Sequence, residues 1–357
     1  MVSIIGAGPA GNYLAYLLAK EGLNVDVYEE HKKIGSPIQC TGIVTDSISK
    51  IIKLDEKCII NKIKKYKIYS PSGKSIEFKL KNPDIILSRE KFDKSLAELA
   101  KKHGAKYFLN HKFVDYKHKV ITLKNNEKYL NKREEILVGA DGPFSSVAKL
   151  INVKNKFITG IQGRFKTELE KDTAEIYLGY GEFAWIVPES KSIARIGLCS
   201  RENSKEIFEK FIKSLNRKLK FIEYQSGLIP IYNPGLKSQE DNIFLLGDAA
   251  SQVKATTYGG IIPGLIAAQK LKDSIAKNKN YDKLWKETIG KELNYSLRIR
   301  NILNKFTHKE YNELFEILSK KRAKNIIENL DRDHPSKLIL KLAIIQPRLL
   351  KFSLKLL

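Results

Sequence analysis

The chain opens on an apolar run, Val2 to Ile5, then a glycine turn, then Tyr13, Leu14, Leu17 and Leu18 at the spacing of one helix face. Gly22 closes that helix, and Val25-Asp26-Val27-Tyr28 predicts a second strand. Strand, glycine turn, helix and strand in this order predict half of a dinucleotide-binding unit. From Lys62 to Leu80 the pattern changes to alternation, with Ser70-Pro71-Ser72-Gly73 as a hairpin turn. A helix is predicted from Glu90 to His103, and short strands from Tyr107 to Phe113 and Val120 to Leu123. An apolar strand, Ile136 to Val138, runs into Gly139-Ala140-Asp141-Gly142. Strands follow at Thr173 to Leu178, Phe183 to Val187 and Ala194 to Leu198, with a helix near 203–218. Phe244-Leu245-Leu246 reads as a buried strand entering Gly247-Asp248, and from about residue 260 the chain is helical and rich in lysine.

This interleaving predicts an α/β fold, α+β overall. A Rossmann-type nucleotide-binding domain is expected from separated segments, 1–60, 85–150 and 240–275. A mostly antiparallel sheet domain is expected from 61–84 and 151–239, and a helical region over 276–357. The 357 residues are 42% hydrophobic and 29% charged, which supports a sizeable core and excludes a wholly disordered or coiled-coil chain. Charge changes the picture more: 64 Lys and Arg against 40 Asp and Glu leave +24, so an anionic partner is expected. Three cysteines, Cys40, Cys58 and Cys199, make no disulfide framework and suit a reducing cytoplasm. No run of about 18 apolar residues predicts a spanning helix. The opening MVSIIG has no room for the charged and apolar regions of a signal peptide, so none is expected.

Gly6-Ala7-Gly8-Pro9-Ala10-Gly11 fits the G-x-G-x-x-G pattern between a strand and a helix. The first glycine makes the turn, the second lets backbone approach a pyrophosphate, and the third admits close helix–strand packing. The helix N-terminus adds amides and partial positive charge. Glu29, 18 residues after Gly11 at the end of the second strand, is placed to accept hydrogen bonds from ribose hydroxyls. Glu30 reads as its solvent-side neighbour.

Three further segments carry a family resemblance. Gly139-Ala140-Asp141-Gly142-Pro143 is similar to the DG motif of FAD enzymes of the glutathione-reductase-2 superfamily. Asn242 to Ala250, with Gly247-Asp248-Ala249 at its heart, is similar to that superfamily's GDA motif. Within the superfamily the chain resembles the geranylgeranyl reductases, including archaeal digeranylgeranylglycerophospholipid reductases. Ile34 to Gly42, containing Cys40, Thr41 and Gly42, is similar to the family's G-x-P-x-x-C-x-G segment alongside the flavin. Phe183-Ala184-Trp185-Ile186-Val187-Pro188, followed by Gly197, is similar to its substrate-cavity motif. Ala249 to Ile261, including Tyr258, Gly259, Gly260 and Ile261, follows its post-GDA loop. Val187, Cys199, Ala255 and Tyr258 depart from the family pattern, Tyr258 standing where a glycine is usual.

The resemblance implies FAD as cofactor, with the Asp248 carboxylate on ribityl hydroxyls and the following helix aimed at the flavin ring. It implies that Arg89, in Arg89-Glu90-Lys91-Phe92-Asp93, contacts FAD; the residues alone allow a solvent arginine at a helix start. Phe113 would lend backbone to the adenine. Cys40 reads either as an inert thiol or, by resemblance, as a flavin neighbour and tentative catalytic residue. Cys58 and Cys199 read as structural. Phe183, Trp185, Pro188, Gly197 and Tyr258 are expected along the substrate cavity. The six histidines show no metal-ligand spacing.

Residues 334–357 contain Lys337, Lys341, Arg348, Lys351 and Lys355 and no acid. On one continuous helical wheel these five fall within an arc of about 80°. The segment reads as contact with an anionic membrane surface or as a terminal helix on the core, with Pro347 able to break it. Nucleic acid is not expected, since no recognition motif accompanies the charge. The expected activity is saturation of C=C bonds in geranylgeranyl chains of isoprenoid lipids, with ferredoxin or NAD(P)H as electron donor. An FAD monooxygenase or epoxidase on an apolar substrate, and a non-catalytic prenyl carrier, are the alternatives. The expected location is cytoplasmic with peripheral membrane association.

Overall fold

Strands that are apolar on both faces form the middle of a six-stranded sheet, as a sheet covered on two sides requires. In the computed structural model, which describes residues 1–329 and 331–356, Val2–Ile5 is wholly buried and pairs in parallel with both Val25–Glu29 and Ile136–Gly139. The strand order is Gln239–Glu240, Ile243–Leu245, Ile136–Gly139, Val2–Ile5, Val25–Glu29, Lys106–Leu109, with only the first of these antiparallel. The helix Pro9–Lys20 carries Pro at its N-terminus, where the missing N–H costs nothing. It packs against the helices Arg89–Lys102 and Ile261–Lys277. A small antiparallel sheet of Lys112–Lys117, Val120–Asn125 and Lys128–Arg133 joins the same unit. Ile5, Tyr28, Leu137, Val147 and Leu245 share its core. This first unit comprises Met1–Ile38, Ser88–Phe157 and Pro230–Leu293.

The second unit comprises Gln39–Leu87, Ile158–Ile229 and the chain from Asn294 on. Its eight-stranded sheet runs Lys220–Pro230, Phe157–Lys166, Ile193–Ser200, Phe183–Pro188, Thr173–Tyr177, Ile59–Tyr69, Ser75–Leu87, Ile43–Val44. The three pairs from Phe157–Lys166 to Thr173–Tyr177 are antiparallel, and one pair, Thr173–Tyr177 with Ile59–Tyr69, is parallel. The Ser70–Gly73 turn closes with Ser70 N–H to Lys74 O at 2.8 Å, and Gly73 takes φ +83°. Ile186, Ile196, Leu198, Phe208 and Phe211 form the core beneath the sheet.

Several stretches group differently from the sequence expectation, residues 85–87 with the second unit and 151–157 and 230–239 with the first among them. Residues 39–60 join the second unit, because Ile43 and Val44 pair with Ile86 and Ile85 at the sheet edge. Residues 276–293 join the first, held where Asp282 accepts from Ser238 and Trp285 Nε1 donates to Ser238 Oγ at 2.7 Å. The C-terminal region contains the helices Lys291–Leu303, His308–Leu318, Lys321–Asn329 and Pro335–Ile345, then a 3₁₀ segment, Pro347–Leu356. Pro347 thus ends regular α-helix, so no single wheel carries all five cations. Arg348 and Lys351 pair with Glu313, and Lys355 pairs with Glu310, which leaves Lys337 and Lys341 as the cations on the Pro335–Ile345 helix. Among the described residues no helix is long and apolar enough to cross a membrane.

Candidate functional site

In the first unit the three glycines of the opening turn divide by what surrounds them. Gly6 has φ +103°, and a Cβ there would meet Ala140 O at 2.4 Å. A Cβ on Gly11 would meet Gly6 O at 2.2 Å. Both are glycine because backbone presses on them. Around Gly8 a Cβ would meet nothing within 4 Å. Gly8 is the N-cap of the Pro9–Lys20 helix, whose first turn holds Pro9, Ala10 and Gly11 and no acidic side chain. The open space therefore lies at a positive helix end, the arrangement that suits a phosphate-bearing ligand.

Glu29 closes one side of the turn. Its Oε2 accepts from Ala7 N–H at 2.8 Å, and its Oε1 accepts from His31 N–H at 2.9 Å and contacts His31 Nδ1 at 2.6 Å. Asn12, buried within an apolar helix face, donates to Ala7 O at 2.7 Å and to Asp93 O at 3.0 Å. Tyr107 in turn donates to Asn12 Oδ1 at 3.0 Å. His31 and Asn12 were not singled out in the sequence. The signal for Asn12 was a lone amide between Gly11 and the helix's apolar stripe.

The DG and GDA segments close on the same turn. The near approach of Gly6 to Ala140, and of Ala10 to the backbone positions of Gly247 and Gly264, brings residues 6–11, 140–141 and 247–264 together. Asp141 Oδ2 accepts from Ser146 N–H at 2.7 Å, while its buried Oδ1 has no hydrogen-bond partner among the described residues. Burial raises the Asp141 carboxyl above the ordinary range. Gly247 takes φ +66°, and a Cβ on Gly260 would meet Asp248 Oδ1 at 2.9 Å. Burial pushes the Asp248 carboxyl up to about 6 against the pull of Arg89.

Arg89 is no solvent arginine. Its Nε and Nη2 donate to the two Asp93 oxygens at 3.1 and 2.9 Å, a bidentate pair that fixes the guanidinium within electrostatic reach of Asp248. Tyr258 adopts φ +53°, the left-handed conformation that glycine takes at least cost. Gly259 pairs with Lys254, and Ile261 opens the 17-residue helix Ile261–Lys277, which has no acid in its first turn. Phe113 lies in the core, with a bulge between it and Asp115 leaving Val114 exposed.

Cys40, Thr41 and Gly42 belong to the second unit. Gly42 N–H donates to Cys40 Sγ at 3.3 Å. Thr41 is held twice: its Oγ1 donates to Gln162 Oε1 at 2.8 Å, and its carbonyl accepts from Arg195 Nη1 at 2.5 Å. The two contacts are ends of one ring. Gln162 Nε2 donates to Gln225 Oε1 at 2.6 Å, and Gln225 Nε2 to Glu223 Oε1 at 3.2 Å. Arg164 bridges Glu223 to Glu189, and Glu189 Oε1 accepts from Arg195 Nε at 2.6 Å. The two guanidinium groups hold Glu189 below the usual carboxylate range against the opposing cost of its burial. None of these ring residues except Thr41 carried a sequence signal.

Trp185 joins the ring through Nε1, 3.3 Å from Gln162 Oε1. It sits opposite Gly197 in the sheet register, where a Cβ would meet Trp185 Cζ2 at 2.7 Å. The tryptophan and the glycine of that motif are one packing unit. Phe183 lies 5.8 Å from Trp185 between ring centroids, and Pro188 O accepts from Asn61 at 2.8 Å. Cys199 is fully buried, with its thiol pushed up to about 12, and Cys58 is buried too, as structural cysteines would be.

With this geometry in hand, the comparisons decide the family. Residues 4–45 match the NAD(P)-binding Rossmann-like domain. An uncharacterized protein of Methanocaldococcus jannaschii is 32% identical, with 89% of this chain and 88% of that protein covered. The digeranylgeranylglycerophospholipid reductase of the same organism is 29% identical, over 98% and 96%. The solved structure of a geranylgeranyl bacteriochlorophyll reductase-like protein from Thermoplasma acidophilum superimposes with a TM-score of 0.88 at 25% identity, over 100% of this chain and 98% of that one. The chain belongs to the geranylgeranyl reductase family. Family membership and geometry agree on the dinucleotide. The open cradle at Gly8, the unpartnered Asp141 oxygen and the uncapped helix end fit such a group.

Proposed function

We propose that this protein is an FAD-dependent reductase that saturates C=C bonds in geranylgeranyl chains of isoprenoid ether lipids. The observation that carries the reading is the gathering of Gly8, Glu29, Asp141, Arg89 and Asp248 in one unit, in a chain related over nearly its whole length to a digeranylgeranylglycerophospholipid reductase. Gly8 to Gly11 would hold the pyrophosphate, Glu29 a ribose, and Asp248 the ribityl hydroxyls. Arg89 would contact the cofactor from the side that Asp93 fixes, with Phe113 near the adenine and Gly259 to Ile261 near the ring. Bound and reduced, FAD supplies hydride to one alkene carbon while a proton reaches the other.

An isolated alkene offers no carbonyl to polarise, so the chain's own work is orientation and exclusion of water. Phe183, Trp185, Pro188, Gly197 and Tyr258 are the residues we assign to the substrate. Cys40 is the assigned neighbour of the reaction. Gly42 N–H occupies a lone pair of its sulfur and leaves the S–H proton uncommitted to that bond. An isoprenoid lipid substrate places the work at a membrane surface, with ferredoxin or NAD(P)H as the source of electrons.

The test is anaerobic incubation of the FAD-loaded, dithionite-reduced protein with unsaturated archaeal-type lipid, read by mass spectrometry. Products heavier by two hydrogens per bond support the reading. Unchanged lipid with FAD bound, or oxygen consumption coupled to substrate in air, overturns it.

A further inference from the structure

The helix Pro335–Ile345 is apolar on two sides. Leu338 and Leu342 pack with Ala323, Ile326 and Leu349 in a small core. On the other side Leu340 and Ile344 are 63% and 69% exposed. They alternate with exposed Lys337 and Lys341 at the i, i+3, i+4, i+7 spacing of a single face. In the 3₁₀ segment that follows, Leu350 and Leu354 are also more than half exposed while Phe352 is buried. Among the described residues the other groups of exposed large apolar residues close in sequence are smaller, Phe221, Ile222 and Tyr224 in one and Tyr129 and Leu130 in another, while residues 340–354 have five. Apolar surface gathered in this way marks a contact that is made elsewhere.

The charge on the face selects what covers it. Arg348, Lys351 and Lys355 are engaged by Glu313 and Glu310, but among the described residues Lys337 and Lys341 have no carboxylate partner. No acidic residue occurs between 334 and 357. A face that interleaves aliphatic side chains with unneutralised lysines fits a surface that is apolar below and negative above. Long lysine stems reach the head groups while the leucine and isoleucine enter the acyl boundary. A second copy of this chain pairing through a two-fold axis would set Lys337 and Lys341 against their own mates. The face is also held in place before any contact. Arg332 donates to Asp84 and lies over the Tyr66 ring at 4.9 Å, and Asp333 accepts from the hydroxyls of Thr45 and Ser47. The helix start is thereby tied to the eight-stranded sheet.

We propose that Lys337, Leu340, Lys341 and Ile344, continued by Leu350 and Leu354, form the surface that docks this protein on the interface of an anionic lipid bilayer. The proposal deepens the lipid-substrate reading and rests on it for its purpose, but its test does not use turnover.

The full chain, loaded with FAD, is sedimented with vesicles of phosphatidylcholine alone or with phosphatidylglycerol added. Binding to the anionic vesicles is expected, reduced at least tenfold by Leu340→Ser with Ile344→Ser. Lys337→Glu with Lys341→Glu is expected to abolish the preference for anionic over neutral vesicles. In Ile344→Trp, emission should shift to the blue on adding anionic vesicles. All these positions are exposed, so unchanged thermal unfolding verifies that the variants fold. Vesicle binding indifferent to both pairs overturns the proposal. So does a concentration-dependent dimer that the serine pair abolishes in a chain that ignores vesicles. Vesicle binding without lipid saturation supports the docking surface and overturns only the activity.

Discussion

Thr41 and Gln162 lie 121 residues apart in sequence, yet Thr41 Oγ1 donates to Gln162 Oε1 at 2.8 Å. The same oxygen accepts from Trp185 Nε1, so one buried amide joins the Cys40 segment to the tryptophan of the inner strand. Gln162→Leu keeps the volume and removes the acceptor, leaving two donors unsatisfied. A buried donor without a partner costs about 1–3 kcal/mol. Urea unfolding should show a loss of that size, with a change in the Trp185 emission. Retained stability with unchanged emission would show that the ring is incidental.

The glycines of the opening turn predict a split between folding and binding. Gly6→Ala and Gly11→Ala drive a methyl into backbone at 2.4 and 2.2 Å and should cost stability, about 1–3 kcal/mol or more. Gly8→Ala meets no atom, and its φ of −76° and ψ of 178° suit alanine. It should unfold like the wild type and bind FAD at least tenfold more weakly. The flavin absorbance retained per protein after gel filtration measures the second effect, and thermal unfolding the first. Equal FAD retention by Gly8→Ala and wild type would remove the pyrophosphate from that cradle.

Gly197 makes a third case. Its absent side chain is the room into which Trp185 Cζ2 and Gln162 Cβ pack. Gly197→Ala should therefore destabilise the second unit by about 1–3 kcal/mol through overpacking. Trp185→Phe should recover only part of that loss, because Ile161 O, a backbone atom, also lies 2.6 Å from the added carbon. Full recovery in the double variant, by denaturant midpoint, would assign the whole clash to the indole.

The elements legible in the sequence are those that are buried as continuous apolar runs or closed by turn residues. Val2–Ile5, Val25–Glu29 and the Ser70–Gly73 hairpin fall where the apolar runs and turn residues set them. The edges were illegible. Lys128–Arg133 is mostly exposed, Tyr129 and Leu130 included, so its pairing with Val120–Asn125 leaves no buried apolar signature. Lys220–Pro230, another edge strand, exposes Phe221 and Tyr224, so its apolar residues do not report a buried face. The same division holds in the site. Gly6 and Glu29 are legible because a strand–turn–helix–strand unit calls for those residue types at those places, and Asp248 because its segment resembles a family motif. Gln162, Glu189 and Arg195 act through partners remote in sequence, and a lone glutamine or a Glu–Arg pair in a strand announces nothing. The C-terminal cations look unpaired in the sequence because Glu310 and Glu313, which neutralise three of them, lie on a different helix.

Asp248 gives the protein without cofactor a distinctive pH dependence. Its carboxyl titrates at about 6 in the folded chain, pushed up by burial, against about 3.9 in an unfolded one. Between those values the native state binds more protons than the unfolded state, so stability falls as pH rises. The contribution is complete below about pH 4 and is lost as pH climbs through 6, a total of about 3 kcal/mol at 1.36 kcal/mol for each unit. Asp248→Asn lacks this ionisation and should be the more stable protein above pH 6, with the difference closing toward pH 4. Hydroxyls donating to the carboxylate favour its charged form, so saturating FAD should flatten the wild-type slope and leave that of the variant unchanged. Urea unfolding of both proteins between pH 4.5 and 7, with and without FAD, measures all four slopes. Parallel curves for wild type and variant without cofactor would show that the Asp248 carboxyl titrates normally. A wild-type slope that FAD leaves untouched would remove Asp248 from the cofactor's hydroxyls.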